Sequence, residues 1–257
     1  MNAALITGAA HRIGRCIAET LAADGWSVVV HHNTSDAEAS DTVNAITAAG
    51  GQASAISADL SDPVACVDLV AAANAATGGL TCLVNNASVF TEDRIESADA
   101  ATFDAIMAVN LRAPVLLSQA FAAQLPIEAD GVIINILDQK LANPNPDFLS
   151  YSLSKYGLAG LTDMLAMSLG PRVRVCGVSP GLTLPSGDQD ESQFDAVHTR
   201  NPLARGSRPE DVAGAVRYLA KAQAVTGETI LVDGGQHLVP STRDVMFLDP
   251  SNEPDNS

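Results

Sequence analysis

The chain has 257 residues, 47% of them hydrophobic, and carries 30 acidic against 14 basic side chains for a formal charge of −16. That is enough apolar material for one sizeable core, while the acidity and the lack of any Lys/Arg-rich stripe argue against nucleic acid or an anionic membrane as partner. Any phosphate-bearing ligand must then be held by local backbone amides and a few placed cations.

Along the chain, short apolar runs alternate with helical stretches. Ala3–Thr7 precedes Ile13–Ala23, Ser27–His31 precedes Ala37–Ala48, Ala53–Ser57 precedes Val64–Ala76, and Leu80–Val84 precedes Ala100–Gln124. Gly131–Leu137 precedes Ser150–Leu169, Arg172–Val178 follows, and Pro209–Ala220 leads into Thr229–Val232. The short runs are rich in Val, Ile and Leu, as strands buried on both faces of a parallel sheet require. The expected fold is α/β, a single doubly wound Rossmann-type parallel sheet of about seven strands flanked by helices, spanning residues 1–238. Residues 184–206, with acids, Pro202 and little periodicity, break the rhythm and are expected to form a substrate loop over the carboxyl edge of the sheet. Residues 239–257 form a polar tail, which either docks on a neighbouring subunit through Met246-Phe247-Leu248 or is a disordered end. Ala3 begins an apolar strand with no basic leader and no apolar run approaches 18 residues, so neither a signal peptide nor a membrane span is expected. Cys16, Cys66, Cys82 and Cys176 lack ligand spacing and suit reduced thiols in a cytoplasmic protein; no metal motif is present.

The first strand–helix junction reads Thr7-Gly-Ala-Ala-His-Arg-Ile-Gly14. Gly8 suits the tight turn and Gly14 the close helix packing, with His11, Arg12 and Ile13 between them and backbone amides facing a pyrophosphate. Arg12 replaces the middle glycine of the usual fingerprint. An arginine there opposes the helix dipole, so a phosphate partner explains it better than a solvated helix end. The second strand runs into Asn33, Thr34 and Ser35, with no carboxylate to meet ribose hydroxyls, which favours NADP(H) over NAD(H). Ser35-Asp-Ala-Glu38 is also a capping-box pattern, and Asp36 adds a nearby negative charge. Asp59 and Leu60 fall beside the adenine position. Asn85, Asn86, Ala87 and Ser88 end the fourth strand at the ligand edge, where two amides need partners whether they bind nucleoside or close a turn.

Tyr151 and Lys155 lie four residues apart in a predicted helix, on one face. An ammonium beside a phenol favours the phenolate, which would make Tyr151 a usable proton donor near neutral pH.

In order, Thr7-Gly-x-x-x-Arg-Ile-Gly14, Asn85-Asn-Ala87, Asn110, Tyr151-x-x-x-Lys155, Pro180-Gly181 and Val232-Asp-Gly-Gly235 resemble a short-chain dehydrogenase/reductase over residues 1 to about 238. The segments Thr7–Arg15, Asn86–Phe90, Ile133–Asp138 and Pro180–Thr183 are most similar to pteridine reductases and dihydromonapterin reductases. The resemblance implies an NADPH-dependent pterin reducer in which Tyr151 donates the proton, Lys155 lowers its pKa and holds the nicotinamide ribose, and Asn110 braces the active-site helix and a water relay. It further implies that Arg12 and Ser88 contact phosphate and pterin, that Phe90 stacks on the pterin, that Pro180, Gly181 and Thr183 border the cofactor, and that the protein is a homo-oligomer, usually a tetramer. Phe90 as a core aromatic is the competing reading. Asp138 stands where the family normally keeps serine. A carboxyl raised by burial could deliver a proton or bond a ring nitrogen, which suits a C=N bond. Two alternatives stay open: a ketone or 3-oxoacyl reductase in which Asp138 is only an anchor, and a silent nucleotide-binding protein.

Overall fold

Alternation of side chains along each strand builds two apolar layers. In β1 (Ala3–Ile6), Ala4 and Ile6 enter one layer while Ala3 and Leu5 enter the other, all fully buried. The same division puts Val28 and Val30 of β2 (Ser27–His32) opposite Val29, and Val132, Ile134 and Ile136 of β5 (Gly131–Ile136) opposite Ile133. A strand with no solvent face must be apolar throughout, and that is why these runs are continuous in sequence. With β3 (Gln52–Ser57), β4 (Cys82–Asn85), β6 (Val173–Pro180) and β7 (Thr229–Val232) they form one all-parallel sheet, in the order β3-β2-β1-β4-β5-β6-β7. The computed structural model describes residues 2–185, 194 and 197–247.

Helices cover both faces. Ile17 and Leu21 of α1 (Arg12–Ala23), Ile46 of α2 (Asp36–Ala48) and Val212, Val216 and Leu219 of the helix Pro209–Lys221 pack on one side. Leu69 and Val70 of α3 (Pro63–Thr77) and Leu117 and Phe121 of α5 (Ala113–Gln124) pack on the other. The stretch Ala100–Gln124 is long and apolar enough by length and composition to cross a membrane. Within the fold it comprises α4 (Ala100–Met107), a π turn at Ala108–Arg112 and α5, and it buries Ile106, Leu117 and Phe121 against the domain. The order of elements matches the sequence expectation, and the strand order reverses between β1 and β4, opening a crevice at the carboxyl edge.

One sequence expectation falls largely outside the described residues, and another changes. Of the anticipated loop at 184–206, residues 186–193 and 195–196 lie outside the described residues, as do 248–257 of the tail. The described part of the tail docks on its own chain. Fully buried Asp147 accepts bonds from Arg94 Nε (2.7 Å), Arg243 Nε (2.8 Å) and the Asp244 N–H (2.7 Å). Burial opposes its ionisation, but Arg243, the Asp244 amide and Arg94 outweigh that and pull its pKa to about 2. A carboxyl held below its ordinary 3.8 contributes stability above that value and loses it as pH falls through about 2. Asp147→Asn should therefore destabilise the fold at pH 7 by at most about 2 kcal/mol, since both arginines reach solvent and are screened. Denaturant melts should show the gap to wild type closing as pH is lowered from about 4 towards 2, and a gap that does not change with pH would refute this account.

Candidate active site

A cleft of about 500 Å³ runs along the carboxyl ends of the strands. Its nucleotide end is shaped by the β1–α1 turn. Gly8 adopts φ +62, and a Cβ on Gly14 would lie 2.3 Å from Gly8 O and 2.6 Å from Asn86 Nδ2, so the turn and helix approach only because both are glycine. Arg12 takes a left-handed backbone at φ +56, which costs a residue with a Cβ roughly 1 kcal/mol. Its guanidinium lines the cleft and donates to Pro185 O at 3.0 Å. His11, the N-cap of α1, makes no side-chain bond to the first turn, and that turn holds no acid. The free first-turn amides and the helix dipole make a seat for phosphate, so the residues present fit a dinucleotide.

Histidine His31, which sequence reasoning missed, pins this turn. Its Nδ1 accepts the Gly8 N–H at 3.0 Å, and its Nε2 lies 3.1 Å from Ala58 O. Burial lowers its pKa to about 4, so the ring is neutral, with Nε2–H donating to Ala58. A histidine closing an apolar strand was the available signal. Thr42 Oγ1 donates to Ala10 O (2.9 Å), and Asn86 Nδ2 donates to Thr7 O (2.8 Å) and Gly8 O (3.1 Å), bracing the turn from α2 and β4. Asn85 Nδ2 donates to Asn135 Oδ1 at 2.8 Å and so ties β4 to β5 instead of reaching the ligand edge.

Beyond β2, Asn33, Thr34 and Ser35 line the cleft with His32. Ser35 is the N-cap of α2 but makes no cap bond, contrary to the capping-box reading, and its hydroxyl is left to the cleft. Asp36 opens α2 and does not line the cleft. Asp59 and Leu60 border it after β3, where the Ser61 N–H holds the Asp59 carboxyl below its usual range. Ile13, Ala87 and Ser88 line the middle. Pro180, Gly181 and Thr183 close it after β6, with Thr183 Oγ1 donating to Gly181 O at 2.8 Å.

At the other end, β5 delivers Asp138 and α6 (Leu149–Leu169) delivers Tyr151 and Lys155. The Tyr151 hydroxyl donates to Asp138 Oδ2 at 2.7 Å, and the Lys140 N–H donates to Asp138 Oδ1 at 2.8 Å. Lys155 Nζ donates to Ile136 O at 2.8 Å and lies 5.5 Å from the Tyr151 ring centroid. Desolvation raises the Asp138 pKa, against hydrogen bonds from Lys140 and Tyr151. Tyr151 is pushed well above its ordinary value by burial and then by the Asp138 charge. This corrects the expectation that Lys155 favours a phenolate: Lys155 makes its hydrogen bond to a strand carbonyl, and Asp138 is the phenol's direct partner. Burial lowers the Lys155 pKa to about 8, and the Asp138 charge resists that fall.

Asn110 is buried behind the cleft in the π turn Ala108–Arg112, a local widening that sequence periodicity does not reveal. Its Oδ1 accepts the Val89 N–H at 2.7 Å, and its Nδ2 donates to Val89 O at 2.9 Å and Ser154 Oγ at 3.1 Å, linking the β4 loop to α6. The start of α6 is capped from a distance: Asp93 accepts the Ser150 N–H at 3.0 Å and also takes the Ser150 hydroxyl. Phe90 lines the cleft, 41% exposed, so it is not a core aromatic. It stacks on Phe148 at 4.1 Å and meets Tyr151 edge-on at 4.7 Å. Lys140, Asp244, Val245 and Met246 also line the cleft, and none was singled out as a site residue from sequence.

A family model described as enoyl-(acyl carrier protein) reductase matches residues 8–237. The structure is similar to that of FolM alternative dihydrofolate reductase 1 from Brucella canis complexed with NADP, at a TM-score of 0.90 and 40% identity, covering 95% of this chain and 96% of that one. An uncharacterised oxidoreductase of Methylorubrum extorquens is 39% identical over 240 residues, 90% of this chain and 96% of the relative. The 3-oxoacyl-(acyl-carrier-protein) reductase FabG of Staphylococcus aureus is 32% identical over 244 residues, 92% of this chain and 98% of the relative.

The charge coupling gives a direct test. Because Asp138 raises both neighbours, Asp138→Asn should lower the Lys155 pKa below about 8 and bring Tyr151 down towards its ordinary value. NMR titration of the labelled lysine Nζ and absorbance titration of the phenols measure these shifts, and unmoved titrations would contradict the coupling.

Proposed function

Because this chain belongs to the short-chain dehydrogenase/reductase family of oxidoreductases, we propose that it is an NADPH-dependent reductase of a pterin or dihydrofolate-like substrate, acting on a C=N bond of the ring. The observation that carries this reading is Asp138: a carboxyl in place of a serine, its pKa raised, 2.7 Å from the Tyr151 hydroxyl. A carboxyl whose pKa burial has raised is a better proton carrier than an ordinary one and can hydrogen-bond or pass a proton to a ring nitrogen, whereas a hydroxyl only polarises a carbonyl. The likeness to the Brucella canis FolM protein supports the same substrate class.

The cofactor reading rests on Arg12, on the open amides of α1, and on Asn33, Thr34 and Ser35 without a carboxylate, residues suited to a 2′-phosphate. It is supported by the NADP in that neighbour. When bound, the nicotinamide supplies a hydride. Tyr151 and Asp138 hold the proton for the substrate nitrogen and are reprotonated from solvent. Lys155 places a cation beside them and presents its ammonium to the ribose, Phe90 offers an aromatic face to a flat ring, and Asn110 positions α6 through Ser154. A second reading, a ketone or 3-oxoacyl reductase in which Asp138 anchors Tyr151, is supported by the likeness to the Staphylococcus aureus FabG protein.

NADPH oxidation should be measured against dihydropterins, dihydrofolate and small ketones. The leading reading expects turnover of the heterocycles, with Asp138→Ala costing about 10²-fold or more in kcat. Turnover of ketones alone would replace it with the second, and full heterocycle reduction by Asp138→Ala would remove the role given to Asp138. A separate check is the pH profile. If the Lys155 ammonium is required, kcat/KM falls as pH rises through about 8, and Lys155→Arg moves that limb upward.

A further inference from the structure

We propose that Asp244–Met246 is the substrate-selecting wall of the cleft and that the buried Lys140–Asp244 ion pair is the positioning element that holds it; this rests on the reductase reading above. Lys140 follows Asp138 by two residues, in the short 3-10 turn Gln139–Leu141. Its backbone N–H serves Asp138, but its side chain runs to the tail, where Nζ meets Asp244 Oδ2 at 2.7 Å and Asn145 Oδ1 at 2.8 Å. Lys140 is 4% exposed and Asp244 8%. Desolvating such a pair costs more than packing two apolar side chains of similar volume, so stability alone does not account for it. A buried pair does fix register, and here it fixes one short segment against the catalytic strand.

What the pair positions is cleft surface. Asp244, Val245 and Met246 line the same cleft as Asp138 and Tyr151. The segment is folded tightly, with the Met246 N–H on Asp244 Oδ1 at 3.1 Å and the Phe247 N–H on Asp244 O at 2.9 Å. Phe247 continues the aromatic column beside the acid: it lies nearly parallel to Phe148 at 5.8 Å, Phe148 stacks on Phe90, and Phe90 abuts Tyr151. Lys140 Nζ stands 5.3 Å from the Phe148 ring, so the pair also bears on that column. None of these groups carries a proton or hydride in the reaction. Their effect falls on the shape of the substrate end, where Met246 supplies an adaptable apolar surface and Phe90 a flat one. The occupant that uses both is a flat bicyclic heteroaromatic ring, and a small ketone leaves the wall untouched.

The test is a double variant, Lys140→Met with Asp244→Leu, which removes the pair without leaving either charge alone, beside Met246→Ala, which removes no charge and carries the test if the double variant fails to fold. KM for a dihydropterin should rise about tenfold or more with kcat within about threefold, while NADPH affinity and kcat/KM for a small ketone stay at wild-type values. Lys140→Arg, which keeps the pair, should retain wild-type KM. Equal losses on both substrates and on NADPH binding would make the segment merely structural, and no change on either would remove it from the site; each overturns the proposal. A wild type inactive on dihydropterins and dihydrofolate defeats the functional reading instead, and the same variants then read the wall by a bicyclic against a monocyclic ketone.

Discussion

A parallel sheet buried on both faces leaves only its ends for polar chemistry, and the whole molecule follows from that constraint. The central strands commit their interiors to the two apolar layers, as the division of Ala3, Ala4, Leu5 and Ile6 between them shows. Side chains that need water, charge or a ligand are therefore found at or beyond the carboxyl ends: His31 after Val30, Asn85 after Val84, Asp138 after Leu137. Where the strand order turns back between β1 and β4, the helices part and these ends share one crevice. Asn135 is a fully buried polar residue inside a central strand, and its amide is satisfied by Asn85 and by Thr162 Oγ1 at 2.9 Å.

Within the crevice, desolvation and charge pull against one another. Burial favours a neutral lysine, a neutral carboxyl and an intact phenol. The Asp138 charge relieves Lys155 but adds to the burden on Tyr151. The result is a phenol that holds its proton firmly beside a carboxyl whose affinity for a proton is raised. A serine at the same strand end would hydrogen-bond to Tyr151 without entering this charge balance.

The fold was legible in the sequence because continuous apolar runs with intervening helical stretches leave few alternatives. The glycine turn, the strand-end amides and the Tyr151–Lys155 spacing were legible for the same reason, since each is a local pattern at an element boundary. Long-range partnerships were not. Nothing near Tyr151 in sequence shows that Lys155 reaches the Ile136 carbonyl, so the direction of the tyrosine shift was misjudged. The tail's role depends on contacts such as Lys140 with Asp244, 104 residues apart, which no local pattern encodes. The Ser35 capping box failed for a subtler reason: the motif was present, but ψ 58 at Ser35 turns the backbone away from extended cap geometry.

The neutral imidazole of His31 gives the phosphate-binding turn a form of insulation. Its acceptor nitrogen is committed to the Gly8 amide, and burial keeps protonation from competing until pH approaches 4. The seat for the dinucleotide therefore keeps one shape through the neutral range, while the acid–base groups at the far end of the cleft respond to pH. Cofactor retention and proton delivery are thereby separated in a single chain, by a histidine that touches neither reacting atom.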